Sequence, residues 1–268
     1  MAPTISLIIV NYNGVNYLES CLNSIRRHLK GLTHEIIMVD NNSKDESIVY
    51  IKENYPEVII IKSKENLGFG KANNLGVSHA NGEIILLLNN DTILLNDIKF
   101  AVEVLLSKKD YGIVTINMLD KHKNYISAVG RFPSPLRLLK ISFSKDKRKE
   151  FNEGNFNLKQ NYLVDWVTGA FMLIRKKDYI ALQGFDSDYF MYVEDVDLCK
   201  RMSNLGKFCV FVPSLYYIHF VGHNSTRNRF LMNGYQIYSK KHFSGIKRWI
   251  ALSMISINIF IKRISNTI

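Results

Sequence analysis

Short apolar runs recur along the first third of the chain, each broken by a polar cluster. Ile5 to Val10, Ile36 to Val39, Val58 to Ile61 and Ile84 to Leu88 are four such runs. They are too short for ordinary helices and rich in β-branched residues. That pattern predicts strands buried on both faces, as in a parallel sheet. Between them the period changes. Leu18, Leu22 and Ile25 fall at helical spacing. Ser43 with Glu46 three residues on forms a capping box, predicting a helix that runs to about Asn54. The segment from Asn66 to Asn74 opens a third helix, which Gly82 is expected to end. A helix over about 95–106 and a strand near 112–116 extend the series. This alternation predicts an α/β fold with a doubly wound, mostly parallel sheet.

The second half is less regular. Residues 131–163 carry Pro133 and Pro135 among Arg137, Lys140, Lys145, Lys147, Arg148 and Lys149. The stretch reads either as an irregular insertion over the rim of the sheet or as a solvated basic loop. Residues 164–174 predict one strand, with Gly169 where the backbone lets a ligand approach. A helix from about Glu194 to Leu205 stops at Gly206, and strands near 208–212 and 215–219 follow.

The polar clusters carry the candidate chemistry. In an open α/β sheet, ligands bind beyond the carboxyl ends of the strands. Asn11 to Asn13, Asp40 to Ser43, Asn66 to Asn74 and Asn89 to Asp91 would then share one rim. Asn89, Asn90 and Asp91 offer oxygen ligands of the kind a phosphate-bound metal takes, or they turn the chain and cap the next helix. Glu194, Asp195 and Asp197 crowd a helix start, where the dipole favours acids. They also follow the aromatic run Tyr189 to Tyr192, where a carboxylate can be tuned as a base. His219 ends its strand as Asp91 does, so it is either structural or part of the same rim. Gly68-Phe69-Gly70 is half of a dinucleotide fingerprint. Asn73 stands where the third glycine belongs, which makes it a weak sign of NAD.

Composition narrows the class. Apolar residues make up 47% of 268, enough for a core and too many for disorder. Cys21, Cys199 and Cys209 lack paired spacing, which argues against disulfides or zinc and fits a reducing compartment. The first residues lead into a strand, so no signal peptide is expected. Net charge is +11, but eight of the cations lie beyond residue 226, where there is no Asp or Glu. Such a tail predicts an anionic partner, membrane or nucleic acid. Trp249 to Ile261 are mostly apolar and bracketed by Lys247-Arg248 and Lys262-Arg263. The segment is short for a span and suits a helix lying among lipid headgroups, or else a helix docked on the core. The membrane reading leaves no role for nucleic acid. The division expected is a domain over 1–225, with halves of about 1–117 and 118–225, followed by a basic helical tail over 226–268.

Together these segments resemble the inverting family 2 glycosyltransferases of GT-A fold. The likeness lies in Val10-Asn11-Tyr12-Asn13, Val39-Asp40-Asn41-Asn42-Ser43, Asn66 to Asn74 and Leu88-Asn89-Asn90-Asp91. Gly169 to Arg175, Gly184-Phe185-Asp186, Phe190-Met191-Tyr192 and Glu194 to Leu198 are similar to its rhamnosyltransferase-like branch. The resemblance implies that Asp40 reads the pyrimidine base of a nucleotide-diphosphate sugar, with Asn11, Tyr12 and Asn13 around it. Asn42, Asn66, Lys71, Asn73, Asn74 and Asn90 would complete the donor side. Asp91 matches the metal-binding carboxylate, with Asn89 where the family has a further Asp, and His219 could add a ligand for Mg²⁺ or Mn²⁺. Asp195 matches the catalytic base, with Trp166, Gly169 and Glu194 on the acceptor side. The implied reaction moves a sugar, L-rhamnose from dTDP-rhamnose, to a lipid-linked saccharide in bacterial surface polysaccharide synthesis. It would run in the cytoplasm, on the inner face of the cell membrane. Two rivals remain at this point. A nucleotide-sugar pyrophosphorylase would want a basic loop after the first strand, and Asn11 to Gly14 has no Lys or Arg. A non-catalytic, membrane-attached nucleotide-sugar-binding subunit would need only the polar rim.

Overall fold

The computed structural model describes residues 4–220 and 227–264. Its first strands are β1 (Ile5–Asn11), β2 (His34–Asp40), β3 (Val58–Lys62), β4 (Ile84–Asn89) and β5 (Thr92–Leu94). After them come β6 (Tyr111–Leu119), β7 (Tyr125–Ile126), β8 (Val129–Gly130), β9 (Tyr162–Val164), β10 (Trp166–Val167), β11 (Phe171–Arg175) and β12 (Phe208–His219). The first helices are α1 (Val15–His28), α2 (Ser47–Asn54), α3 (Gly68–Ser78), α4 (Lys99–Ser107) and α5 (Lys149–Glu153). The later ones are α6 (Lys176–Ala181), α7 (Glu194–Asn204), α8 (Arg227–His242) and α9 (Gly245–Ile264).

The main sheet runs β3-β2-β1-β4-β11-β6-β12-β5. β3, β2, β1 and β4 are mutually parallel, as their unbroken apolar runs predict. Ile84 to Leu88 are buried throughout. β6 and β12 are also parallel, so the expected mostly parallel α/β sheet is what forms. β11 departs from it, lying antiparallel between β4 and β6. The chain reaches β11 from the rim and must run back down the sheet. That reversal sets residues 168–170 beside the polar end of β4.

Several local expectations are corrected. No capping box forms at Ser43. Its hydroxyl instead accepts from the Asn11 side-chain amide at 3.1 Å and the Asn13 backbone at 3.0 Å, and α2 begins at Ser47. α3 ends at Ser78, ahead of Gly82, which is pressed against Ser6 on β1. The strand expected over 164–174 is three pieces, because Asp165 and Thr168 to Ala170 leave the ladder. The two expected final strands are one, β12, with a register shift between Val212 and Tyr216 where Pro213 falls. α4 starts at Lys99, after β5.

Residues 131–163 are ordered by their own aromatic core. Phe156 packs 4.9 Å from Phe211 and 5.1 Å from Phe151, centroid to centroid. Two 3₁₀ turns, Pro135–Leu139 and Ile141–Ser144, form a shelf on which α9 rests. Asn258 donates to the Leu139 carbonyl at 2.6 Å, and Ala251 and Ile255 are buried on the same face. The opposite face of α9 leaves Ile246, Trp249, Ile257 and Phe260 exposed. The reading of a helix docked on the core thus holds for the buried side of α9. Among the described residues, no helix is long and apolar enough to cross a membrane.

Candidate active site

Strand register sets the rim. Asn11 lies opposite Asp40, and Val10 opposite Asn89, at the carboxyl ends of three neighbouring strands. Asn11 is fully buried and accepts from the Asn90 side-chain amide at 2.7 Å. Gly14 packs against the same two amides, and a Cβ there would collide with both. Tyr12 stands half exposed beside them. Asp40 is buried. Its Oδ2 accepts from the Ser43 amide at 3.4 Å, and its Oδ1 has no partner. A buried, unpartnered carboxylate oxygen is costly unless something arrives to donate to it.

At the end of β4, Asp91 Oδ1 lies 3.1 Å from His219 Nε2. The antiparallel pairing of β5 with β12 sets this, since it puts His219 opposite Thr92. Asn89 Nδ2 approaches the same Nε2 at 3.2 Å. One ring nitrogen cannot serve both contacts, because it carries either a proton for Asp91 or a lone pair for Asn89. His219 Nδ1 is buried without a partner. A carboxylate oxygen and an imidazole nitrogen converging like this fit a divalent cation that takes its remaining ligands from phosphate and water. Among the described residues no third His, Cys, Asp or Glu joins them.

Asp195 opens α7. Its Oδ2 accepts from the Gly169 amide at 3.0 Å and its Oδ1 from the Val196 amide at 2.8 Å. Burial pushes this carboxyl above the ordinary Asp value, against the two amide bonds, which favour its charge. Glu194 is more extreme. Burial first, and the neighbouring Asp195 charge second, push it well above the usual range. The residues before this pair are strained. Tyr192 and Val193 have φ of 68° and 75°, a region that β-branched side chains avoid.

The two ends of the site are joined by consecutive residues. Ala170 O accepts from the Asn89 amide at 3.1 Å, and the Gly169 amide reaches Asp195. Asp195 is therefore tied to the strand end that carries Asp91. The model of glycosyl transferase family 2 matches residues 6–182. The chain belongs to this family. It is 29% identical to the rhamnosyltransferase WbbL of Escherichia coli K12, over 97% of each chain. It is 24% identical to N-acetylglucosaminyl-diphospho-decaprenol L-rhamnosyltransferase of Mycobacterium tuberculosis, over 85% of this chain and 80% of that one. Among solved structures, the mannosyltransferase PcManGT of Pyrobaculum calidifontis, in complex with GDP-Man and Mn²⁺, matches with a TM-score of 0.64 at 17% identity. That match covers 98% of this chain and 76% of that one. TarS of S. aureus with UDP matches with a TM-score of 0.59 at 14% identity, over 97% and 73%. These share the GT-A fold. The expected family, fold and likeness to rhamnosyltransferases hold.

Within this glycosyltransferase the predicted site residues take up different duties. Asn11, Asp40, Asn90, Asp91, His219 and Asp195 gather as described. Asn13 and Asn42 both sit at positive φ, with Asn13 Oδ1 accepting from the Lys44 amide at 2.7 Å and Asn42 Oδ1 from Lys44 Nζ at 2.9 Å. Lys71 is exposed at the start of α3. Asn66, Asn73 and Asn74 brace the protein itself. Asn66 Oδ1 accepts from Asn41 Nδ2 and the Gly68 amide, both at 2.9 Å. Asn73 is buried and donates to Phe69 O, one turn back in α3. Asn74 clamps Phe185, donating to its carbonyl at 2.8 Å and accepting from its amide at 2.9 Å. Glu194 is 4% exposed and lies under α3 near Gly70. Gly169 also makes room, since a Cβ there would stand 2.7 Å from the Phe69 ring. Trp166 Nε1 donates to Arg131 O at 3.0 Å.

Sequence reasoning missed Asn41 and Asp45. Asn41 ties the end of β2 to residues 66–68 through Asn66 Oδ1, the Leu67 amide and Gly68 O. Asp45 accepts from the amides of Val15 and Ser47 and so joins α1 to α2. Asn41 lies inside a polar cluster that was visible in the sequence, and Asp45 lies two residues past it. Nothing there separated residues that bind ligand from residues that hold the loop.

Proposed function

We propose that this glycosyltransferase is an inverting rhamnosyltransferase that moves L-rhamnose from dTDP-rhamnose to a lipid-linked saccharide in surface polysaccharide synthesis. The observation that carries the reading is the Gly169–Ala170 bridge, which ties Asp195 to the strand end bearing Asp91. The rhamnosyltransferase relatives support the sugar, and the decaprenol-linked substrate named for one of them supports the acceptor class.

The donor base would meet the free Oδ1 of Asp40, with Tyr12 beside it. The diphosphate would lie toward Asn90 and Asp91. Mg²⁺ or Mn²⁺ held by Asp91 and His219 would supply charge stabilisation for the departing diphosphate. Asp195 takes the proton from the acceptor hydroxyl as that oxygen bonds to the anomeric carbon. The bond from that carbon to the diphosphate oxygen breaks on the opposite face, so configuration inverts. Residues 1–225 are the catalytic domain in this reading. The tail over 226–268 lays the free face of α9, flanked by Lys247 and Arg248, on the anionic inner face of the cell membrane.

Incubating the chain with dTDP-rhamnose, Mn²⁺ and a membrane extract, and measuring free dTDP, tests the reaction. Release of dTDP with a rhamnosylated lipid product is the expected result. Consumption of pyrophosphate without transfer would overturn it. Flotation with anionic vesicles tests the tail. Loss of flotation on deleting residues 246–268 is expected, and unchanged flotation would defeat the anchor.

A further inference from the structure

A groove of about 370 Å³ runs between the 3₁₀ shelf and α9. Leu136, Leu139, Phe143 and Met254 make its apolar lining, and Arg137 and Lys147 stand at its edge. This volume falls within the roughly 300–1,000 Å³ of small-molecule sites. We infer that this groove binds the hydrocarbon chain and anionic head of a prenyl phosphate or prenyl diphosphate. The inference rests on the lipid-linked acceptor proposed above and gives that lipid its seat.

The charge argument comes first. Among the described residues Arg137 and Lys147 make no ion pair, and neither do Lys140 and Lys145 nearby. Arg137 uses one nitrogen to donate to Phe132 O at 3.1 Å, which fixes the guanidinium and leaves other donors over. Cations at the mouth of an apolar trough match an amphiphile whose anionic group sits directly on its chain. A glycerophospholipid instead separates its phosphate from two chains through a glycerol. A second copy of this protein is a poor occupant, because the net charge is +11 and nothing acidic lies beyond residue 226.

Continuity is the second argument. Ile257 and Ile261 follow Met254 on one row of α9 and are exposed, so the groove opens onto the helix's free apolar face. Inward, Arg137 holds Phe132, the Phe132 amide donates to Asp165 Oδ2 at 2.7 Å, and Trp166 holds Arg131. Three residues past Trp166, the Gly169 amide holds Asp195. A chain seated in the groove would leave its saccharide pointing along this segment toward the base.

The test uses the full chain and a fluorescent farnesyl diphosphate analogue, followed by anisotropy with saturating dTDP present. Binding is expected, with farnesol and inorganic pyrophosphate competing poorly because each carries only half of the recognised chemistry. Leu136 and Lys147 are exposed, so Leu136→Asp and Lys147→Glu leave the core intact. Each should weaken the probe by roughly ten-fold or more while dTDP binding stays unchanged. Equal binding by both variants would overturn the inference, as would displacement of the probe by phosphatidylglycerol vesicles or absence of binding in the presence of dTDP. The readout is independent of turnover. Failure to transfer any sugar would sink the proposed reaction and leave this result standing, and the reverse also holds.

Discussion

Gly234 on α8 lies directly against Val193. A Cβ built on the glycine would stand 2.8 Å from Val193 Cγ2 and 2.6 Å from the Tyr192 carbonyl oxygen. Tyr192 and Val193 are the two strained residues that launch α7, at an order-of-magnitude cost of about 1–3 kcal/mol each. The tail helix therefore backs the turn that aims Asp195. Gly234→Ala should push on that turn, lowering kcat for transfer and destabilising the fold by about 1–3 kcal/mol. Steady-state kinetics and thermal melts check both effects. Full turnover in this variant would show that the turn holds its geometry without the glycine.

Asp195 and Glu194 should separate cleanly by mutation. Asp195→Asn keeps the shape and removes the proposed base, so transfer should fall by roughly 10² to 10⁴ while dTDP binding persists. Glu194 is buried, and burial raises its pKa well above the ordinary value. Glu194→Gln keeps the shape and removes the charge, and should retain most turnover. Titration calorimetry with dTDP and product assays read the two variants. If Glu194→Gln is as inactive as Asp195→Asn, the roles of the pair have been exchanged.

The same burial has a signature in stability. The folded pKa of Glu194 lies above its ordinary 4.5, so the fold binds the proton more tightly than the unfolded chain does. Folding is not penalised by this group below about pH 4.5, and the penalty grows as pH rises toward the folded value. Glu194→Gln should therefore melt with wild type at acid pH and above it at neutral pH. Asp197 has the opposite sign. Burial raises its pKa, but hydrogen bonds from His242 and Arg201, both at 2.7 Å, outweigh that and hold it below 3.8. Its contribution is present above pH 3.8 and is lost as pH falls through the folded value. His242→Ala should reduce the melting temperature at neutral pH, with the gap closing in strong acid. A constant gap across pH would remove Asp197 as the cause.

The parallel half of the sheet was legible because four apolar runs with polar ends admit few other solutions. The direction of β11 was not, since alternation and burial carry no arrow. Asp91 and His219 could be named because each closes a strand, but their 3.1 Å meeting depends on a β5–β12 pairing invisible in either segment. Asn74 marks another boundary. An asparagine near a helix start plainly needs partners, and nothing local reveals that they lie at Phe185, more than a hundred positions away. The burial of Glu194 was not legible either, because adjacent helical residues diverge by about 100° around the axis. One of them had to turn inward. The alternative of a docked tail helix was legible in the sequence, but the 3₁₀ shelf that receives its buried face was announced by no periodicity.

The contested nitrogen of His219 supplies the last prediction. Asp91 and Asn89 both reach for Nε2, and a divalent cation that accepted its lone pair and a carboxylate oxygen would end the conflict. If so, Mn²⁺ should tighten dTDP binding to the wild-type chain, and EDTA should reverse the gain. His219→Ala should shrink that gain by at least about 10-fold, the scale on which disturbed metal sites lose affinity. Asp91→Asn should abolish it, because the neutral amide cannot balance the cation's charge. Binding of dTDP without metal should be nearly equal in all three proteins, since Asp40 and Tyr12 lie on another strand end. Calorimetry with and without Mn²⁺ separates these terms. A metal-dependent gain that survives Asp91→Asn would move the cation elsewhere on the rim and leave the Asp91–His219 contact as an ion pair holding β5 to β12.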